Sequence, residues 1–206
     1  MVTPLEIVQL RIRQADNFSY LVYCPVTRQG VVIDPSTDPE QVLAEAGRLD
    51  VNLCLLLNTH GHGDHIAGNR LILESTGIKL AANPADLPQA DIHLAEGSKI
   101  AVGQGQISVL HTPGHTPGSI VFRTGEAIVT GDTLFVSRCG RADLPGSKVE
   151  DLYASLQRIK QLPPATRVYP GHDYGPTPTS TLAWELENNA YLRCPDLPSF
   201  IKLRIG

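Results

Sequence analysis

The segment Thr59-His60-Gly61-His62-Gly63-Asp64-His65 limits what this chain can fold into more than any other stretch. From His60 to His65, three imidazoles and one carboxylate fall within six positions. The run before it, Leu53-Cys54-Leu55-Leu56-Leu57, is short and apolar and reads as a buried strand. The histidines therefore sit where a strand ends and the chain turns. Gly61 and Gly63 let the backbone bend, so that His60 and His62 can converge on one point while Asp64 and His65 converge on another. One metal ion could not easily use all four side chains at that spacing, whereas two adjacent ions could. A solvated His-rich loop is the plain alternative, and four ligand-type side chains in six positions argue against it.

Three further donors stand at turn-like positions. His115 lies in His111-Thr112-Pro113-Gly114-His115-Thr116-Pro117-Gly118, where Pro and Gly on both sides make a tight loop after an alternating strand at 106–110. Asp132 closes the apolar run Ala127-Ile128-Val129-Thr130-Gly131. His172 follows Val168-Tyr169-Pro170-Gly171. Any one of these alone reads as structural. Together they place a ligand at each of four strand ends, as expected when one edge of a β-sheet carries the site.

The order HxHxDH, followed by single His, Asp and His at positions 115, 132 and 172, resembles the metallo-β-lactamase superfamily. Asn17-Phe18-Ser19-Tyr20-Leu21 and Val32-Ile33-Asp34-Pro35 are similar to that fold's opening strands. The resemblance implies two divalent metal ions, with zinc foremost and iron or manganese as alternatives. It assigns His60, His62 and His115 to the first ion, and Asp64, His65 and His172 to the second, with Asp132 bridging. Asp132 and Asp64 would be the catalytic carboxylates, Asp64 also helping to orient the attacking oxygen. Two such ions can hold a hydroxide between them and polarise a carbonyl, lowering the pKa of the bound water to about 7. Thr59, Thr130 and Asp34 are candidates for hydrogen bonds that fix imidazole tautomers. His111 and His93 match no ligand motif; His111 is expected either to support a ligand or to be structural, and His93 to lie on the surface.

The stretch from Thr130 to Arg141 resembles the glyoxalase II (hydroxyacylglutathione hydrolase) branch, where a Lys after the Cys-Gly pair meets a glutathione carboxylate. Arg141 stands at that position, and its planar fork suits a carboxylate. Tyr174 matches a tyrosine lining the glutathione pocket. The resemblance implies a hydrolase acting on a thioester of a small-molecule thiol such as a glutathione conjugate. Only residues 173–206 follow His172, so no separate glutathione-binding domain is expected. Gly171-His172-Asp173-Tyr174, Ser180-Thr181 and residues 185–192, with Gly140-Arg141-Ala142-Asp143, resemble persulfide dioxygenases. That branch implies one iron on His60, His115 and Asp132, acting on glutathione persulfide. A third reading is a metal-binding scaffold without catalysis.

At 206 residues and 42% hydrophobic, the chain can bury a substantial core as one domain, 1–206. Strands are expected at 5–13, 18–23, 31–33, 99–102, 106–110, 120–123 and 127–130, with helices at 39–49, 66–76, 148–161 and 179–192. Two runs of strands, each bracketed by helices, give an α/β fold, a four-layer αββα sandwich. Trp184 is expected to anchor packing, and loops 138–147 and 173–179 to shape the pocket mouth. A net charge of −4 offers no basic stripe for nucleic acid. No export signal or membrane span is visible, and the four cysteines form no CxxC pair. A cytoplasmic protein with reduced thiols is the expectation, and a homodimer stays open.

Overall fold

A computed structural model describes residues 3–12 and 16–206. Two six-stranded sheets stack face to face with helices on both outer surfaces. The first sheet runs in chain order through β1 (Glu6–Ile12), β2 (Asn17–Tyr23), β3 (Gln29–Ile33), β4 (Asn52–Leu57), β5 (Lys79–Ala82) and β6 (Ile92–His93). Its first three strands are antiparallel, and β3 through β6 are parallel. The second half supplies β7 (Lys99–Val102), β8 (Gly105–His111), β9 (Ile120–Thr124) and β10 (Ala127–Gly131). A short hairpin of β11 (Leu134–Phe135) and β12 (Arg138–Cys139) follows, then β13 (Arg167–Pro170) and β14 (Ser180–Thr181). The second sheet has the order β14-β13-β10-β9-β8-β7, with β13 parallel to β10.

Alternation along the strands explains the layering. Phe18, Tyr20 and Val22 of β2 point between the sheets, meeting Val102, Ile107, Val109, Ile120 and Phe122 of the second sheet in one buried cluster. Each such side chain contributes about 1.5–3 kcal/mol by leaving water. On the outer face of the first sheet, α1 (Pro39–Arg48) and α3 (Asn69–Thr76) cover Val32, Leu56 and Leu80 with Val42 and Ile72. On the outer face of the second, α4 (Val149–Ile159), α5 (Leu182–Asn188) and α6 (Leu197–Ile205) cover Val121, Ile128 and Val168. The expected αββα sandwich is the observed architecture.

Several boundaries differ from the expectation. The helix expected at 66–76 is two helices, α2 (Gly63–Ile66) and α3. The chain turns at Gly68, which packs so closely on the Ser36 carbonyl that a Cβ would stand 2.7 Å from it. The helix expected at 179–192 starts later and ends earlier, because 180–181 pair with β13 and Thr181 caps the Trp184 amide at 3.3 Å. The strands β5 and β6 and the helix α6, the last capped by Asp196 on the Ser199 amide at 2.9 Å, were not expected. The strand expected at 5–13 spans Glu6–Ile12, and position 13 lies outside the described residues. Trp184 is no packing anchor: it is 36% exposed and borders an open groove with Arg167, Pro176 and Thr177. Cys24, Cys54, Cys139 and Cys194 are unpaired thiols. Among the described residues, no helix is long and apolar enough to cross a membrane.

Candidate metal centre

The seven residues expected as ligands converge at one edge of the sandwich, where strands of both sheets end. Residues 58–65 follow β4, His115 sits between β8 and β9, Asp132 follows β10, and His172 follows β13. His60, His65, His115, Asp132 and His172 are buried, while His62 and Asp64 are partly exposed. Two trios form, each with its donor atoms within 4.8 Å of one another: His60, His62 and His115, and Asp64, His65 and His172.

In the first trio, the Nδ1 atom of His62 lies 3.1 Å from His60 Nε2 and 3.0 Å from His115 Nε2. Outer partners fix two of these rings. The Thr59 hydroxyl donates to Asp34 Oδ2 at 2.6 Å, so at 3.0 Å it can only accept from His60 Nδ1. His115 Nδ1 donates to the Arg141 carbonyl at 2.9 Å. Both Nε2 atoms therefore present bare lone pairs to His62. Burial pushes the pKa of His60 well below its ordinary value, helped by the neighbouring His65. Burial lowers that of His115 too, against the pull of Asp132.

The second trio is framed by carboxylates. His65 Nδ1 donates to Asp34 Oδ2 at 3.0 Å, leaving Nε2 to face His172 Nε2 at 3.2 Å. Asp64 Oδ2 lies 3.6 Å from His65 Nε2 and 3.3 Å from His172 Nε2. Burial opposes charge on His65, yet Asp132 and Asp34 hold its pKa well above the ordinary value. For His172, burial is likewise outweighed by hydrogen bonds to Asp132 and Asp64, which push it up to about 9. Asp132 is itself held well below the carboxylate range, where His65 and His172 overcome its burial.

Asp132 stands between the trios. Its Oδ1 is 3.2 Å from His65 Nε2, and its Oδ2 is 3.3 Å from His172 Nε2 and 3.5 Å from His115 Nε2. The same set satisfies a direct test of fit for metal ions. Ring nitrogens of neighbouring imidazoles face one another at 3.0–3.2 Å, an arrangement that needs a cation or a shared proton among them. Asp132 Oδ1, which faces into the cluster, is buried without a hydrogen-bond partner. The residues fit divalent ions.

Asp34, His60 and His65 also lie within 4.8 Å, but Asp34 faces the outer nitrogen of His65 and is filled by Thr59 and Asn58 donors. It orients rather than ligates. Asp34 has φ 49, a strained conformation held by the hydrogen bond that its amide donates to the Leu57 carbonyl at 3.0 Å. Thr130 does not touch an imidazole: its hydroxyl bonds the Leu134 and Tyr169 carbonyls. His111 is structural, reaching the Pro117 carbonyl at 2.9 Å, and His93 is exposed.

Of the expected substrate contacts, Tyr174 stacks on His172 with ring centroids 4.6 Å apart and planes at 5°, and Phe135 closes against both rings. The Arg141 guanidinium is exposed and forked onto Asp143 by two bonds of 2.9 Å, while its carbonyl serves His115. Two residues that sequence reasoning passed over belong to the site. Asn17, fully buried, donates to Asp64 Oδ2 at 3.0 Å. Asp86 ties together the loops on either side of the first trio. Neither has a local signature, since each acts across a long stretch of chain.

The family profile of the metallo-beta-lactamase superfamily matches residues 14–172, the span that holds every residue of both trios. The chain belongs to this superfamily. Within it, the chain is similar to a hydroxyacylglutathione hydrolase of Rhodospirillum rubrum, 38% identical over 92% of this chain and 75% of that one. It is also similar to BaeB of Bacillus velezensis, a probable polyketide biosynthesis zinc-dependent hydrolase, at 32% identity over 91% of this chain and 87% of that one. The crystal structure of ETHE1 from Myxococcus xanthus matches with a TM-score of 0.92 at 33% identity, over 97% of this chain and 89% of that one. The hydroxyacylglutathione hydrolase resemblance of the sequence is represented among these relatives.

Proposed function

We propose that this protein is a metal-dependent hydrolase that cleaves a thioester of a small thiol, such as a hydroxyacylglutathione. The observation that carries the reading is Asp132, whose two oxygens reach His65 and His172 on one side and His115 on the other. His60, His62 and His115 would hold one divalent ion and Asp64, His65 and His172 the other, with Asp132 shared. Bound there, the ions would supply Lewis acidity toward the thioester carbonyl and a water activated near neutral pH.

The chain's own residues do the rest. Water adds to the carbonyl carbon and the carbon–sulfur bond breaks, giving an acid and a thiol. Asp64, held by Asn17 and partly exposed, would accept a hydrogen bond from the incoming water and orient it. Tyr174 and Phe135 form an aromatic wall beside His172 against which the substrate's apolar part can lie. Arg141 is the residue for a substrate carboxylate, which would take the place of Asp143 in the fork. The hydroxyacylglutathione hydrolase of Rhodospirillum rubrum and the zinc-dependent hydrolase BaeB support this class of reaction.

The likeness to ETHE1, with the Gly140-Arg141-Ala142-Asp143 and tail resemblances, favours a second reading. Here one iron on His60, His115 and Asp132 would serve a dioxygenase that oxidises glutathione persulfide with oxygen. Oxygen uptake by iron-loaded protein given glutathione persulfide separates the two. The hydrolase reading expects no enzyme-dependent uptake with iron verified in the sample, and rapid uptake would replace it with the dioxygenase.

A further inference from the structure

The tips of the two loops that carry the first trio meet over a single carboxylate. One loop follows β4 in the first sheet and holds His60 and His62. The other joins β8 to β9 in the second sheet and holds His115. Asp86, from the β5–β6 connection, reaches both. Its Oδ2 accepts from the Gly61 amide at 3.0 Å and from the Thr116 hydroxyl at 2.6 Å. Its Oδ1 accepts from the Gly118 amide at 2.7 Å. Gly61 is the residue between His60 and His62, and Thr116 directly follows His115.

The contact is built rather than incidental. A Cβ at position 118 would stand 2.5 Å from Asp86 Cγ, so only glycine lets the backbone come this close. Asp86 has its own mount: the Asp86 and Leu87 amides donate to the Asn83 carbonyl at 3.2 and 3.0 Å, and Asn83 Oδ1 caps the Ala85 amide at 2.9 Å. Leu87, 3% exposed, anchors that turn in the core under α1 and α3. The Ile120 amide bonds the Thr59 carbonyl at 2.8 Å and joins the two loops at their bases. Asp86 joins them at their tips, beside His62, which is partly exposed and meets its trio partners only through Nδ1. Bonds from amides and a hydroxyl to a carboxylate are among the stronger hydrogen bonds, and three of them converge here.

We propose that Asp86 is a positioning residue that fixes the spacing of His60, His62 and His115 and so sets the affinity of the first trio for its ion. The proposal rests on the metal-binding reading above. Asp64, His65 and His172 make none of these bonds, so the second trio should be indifferent to the change.

The test is a zinc titration against a competing chelator for the wild-type chain, Asp86→Ala, Asp86→Asn and His62→Ala, with the thermal midpoint of each ion-free protein. In Asp86→Ala, one zinc equivalent should weaken by about tenfold or more, the scale seen when supporting groups around a metal site are removed. The other should stay within about twofold. The weakened equivalent should be the one that His62→Ala loses, and adding Asp86→Ala to His62→Ala should leave the remaining equivalent unchanged. Asp86→Asn, which keeps one acceptor oxygen, should fall between and carries the test if the alanine variant does not fold. Unchanged affinities, or an equal fall of both equivalents, would overturn the proposal. If the wild-type chain takes only one equivalent, the two-ion reading fails on its own. Asp86 then stands if Asp86→Ala weakens that ion by the same factor, and falls if it does not.

Discussion

The two trios solve the same problem with opposite electrostatics. The outer nitrogens of His60 and His115 end on neutral oxygens, the Thr59 hydroxyl and the Arg141 carbonyl, and burial lowers the pKa of both rings. His65 instead ends on the Asp34 carboxylate, with Asp64 and Asp132 on its inner side. Without an ion, that excess negative charge draws protons onto His65 and His172. A cation entering the first trio meets the bare Nε2 lone pairs of His60 and His115, whereas one entering the second competes with protons on His65 and His172. Binding at the second trio should therefore release more protons and weaken more steeply as pH falls.

The most severe way to break this contrast is Asp132→Ala, because Asp132 touches both trios. Turnover should be abolished, exceeding the about 10–100-fold loss typical of an outer supporting group, while most of the fold survives. Full activity in the purified variant would sink the assignment. His62→Ala should also abolish turnover but remove only one ion equivalent, measured as metal content per chain. Asp34→Asn removes the charge directly behind His65 and reaches His60 only through the Thr59 hydroxyl. It should weaken the second ion by about 10–100-fold and the first by less, read by chelator competition.

The smallest effect is on the ion-free protein. The folded pKa of His172, about 9, lies above its ordinary 6.5. Its contribution to stability is therefore complete below about pH 6.5 and is lost as pH rises through about 9. The thermal midpoint of ion-free protein should fall across that window, and His172→Gln should flatten the fall.

The contrast between the trios was only half legible in the sequence. The ligand types were readable because Gly-spaced His and Asp at the end of the apolar run 53–57 have few other uses, and β4 does end there. The turns that carry 115, 132 and 172 were readable from alternation and Pro-Gly pairs. What escaped depends on contacts between distant parts of the chain. Asp86 reaches across 25 to 32 positions to its three partners, and Asn17 across 47 to Asp64. An aspartate in a polar loop or an asparagine opening a strand carries no local sign of such a partner. The break between α2 and α3 escaped for a similar reason, since it comes from Gly68 meeting Ser36 and not from the helical pattern of 66–76. By contrast, α6 had a legible start in Asp196, Leu197 and Pro198, a cap followed by proline in the first turn.

The most direct test of the central claim is the rate of hydroxyacylglutathione hydrolysis as ion-free protein is titrated with zinc. The two-ion account predicts that activity climbs until two equivalents per chain are bound and then levels. Full activity at one equivalent, or no thioester cleavage with both equivalents in place, would contradict it.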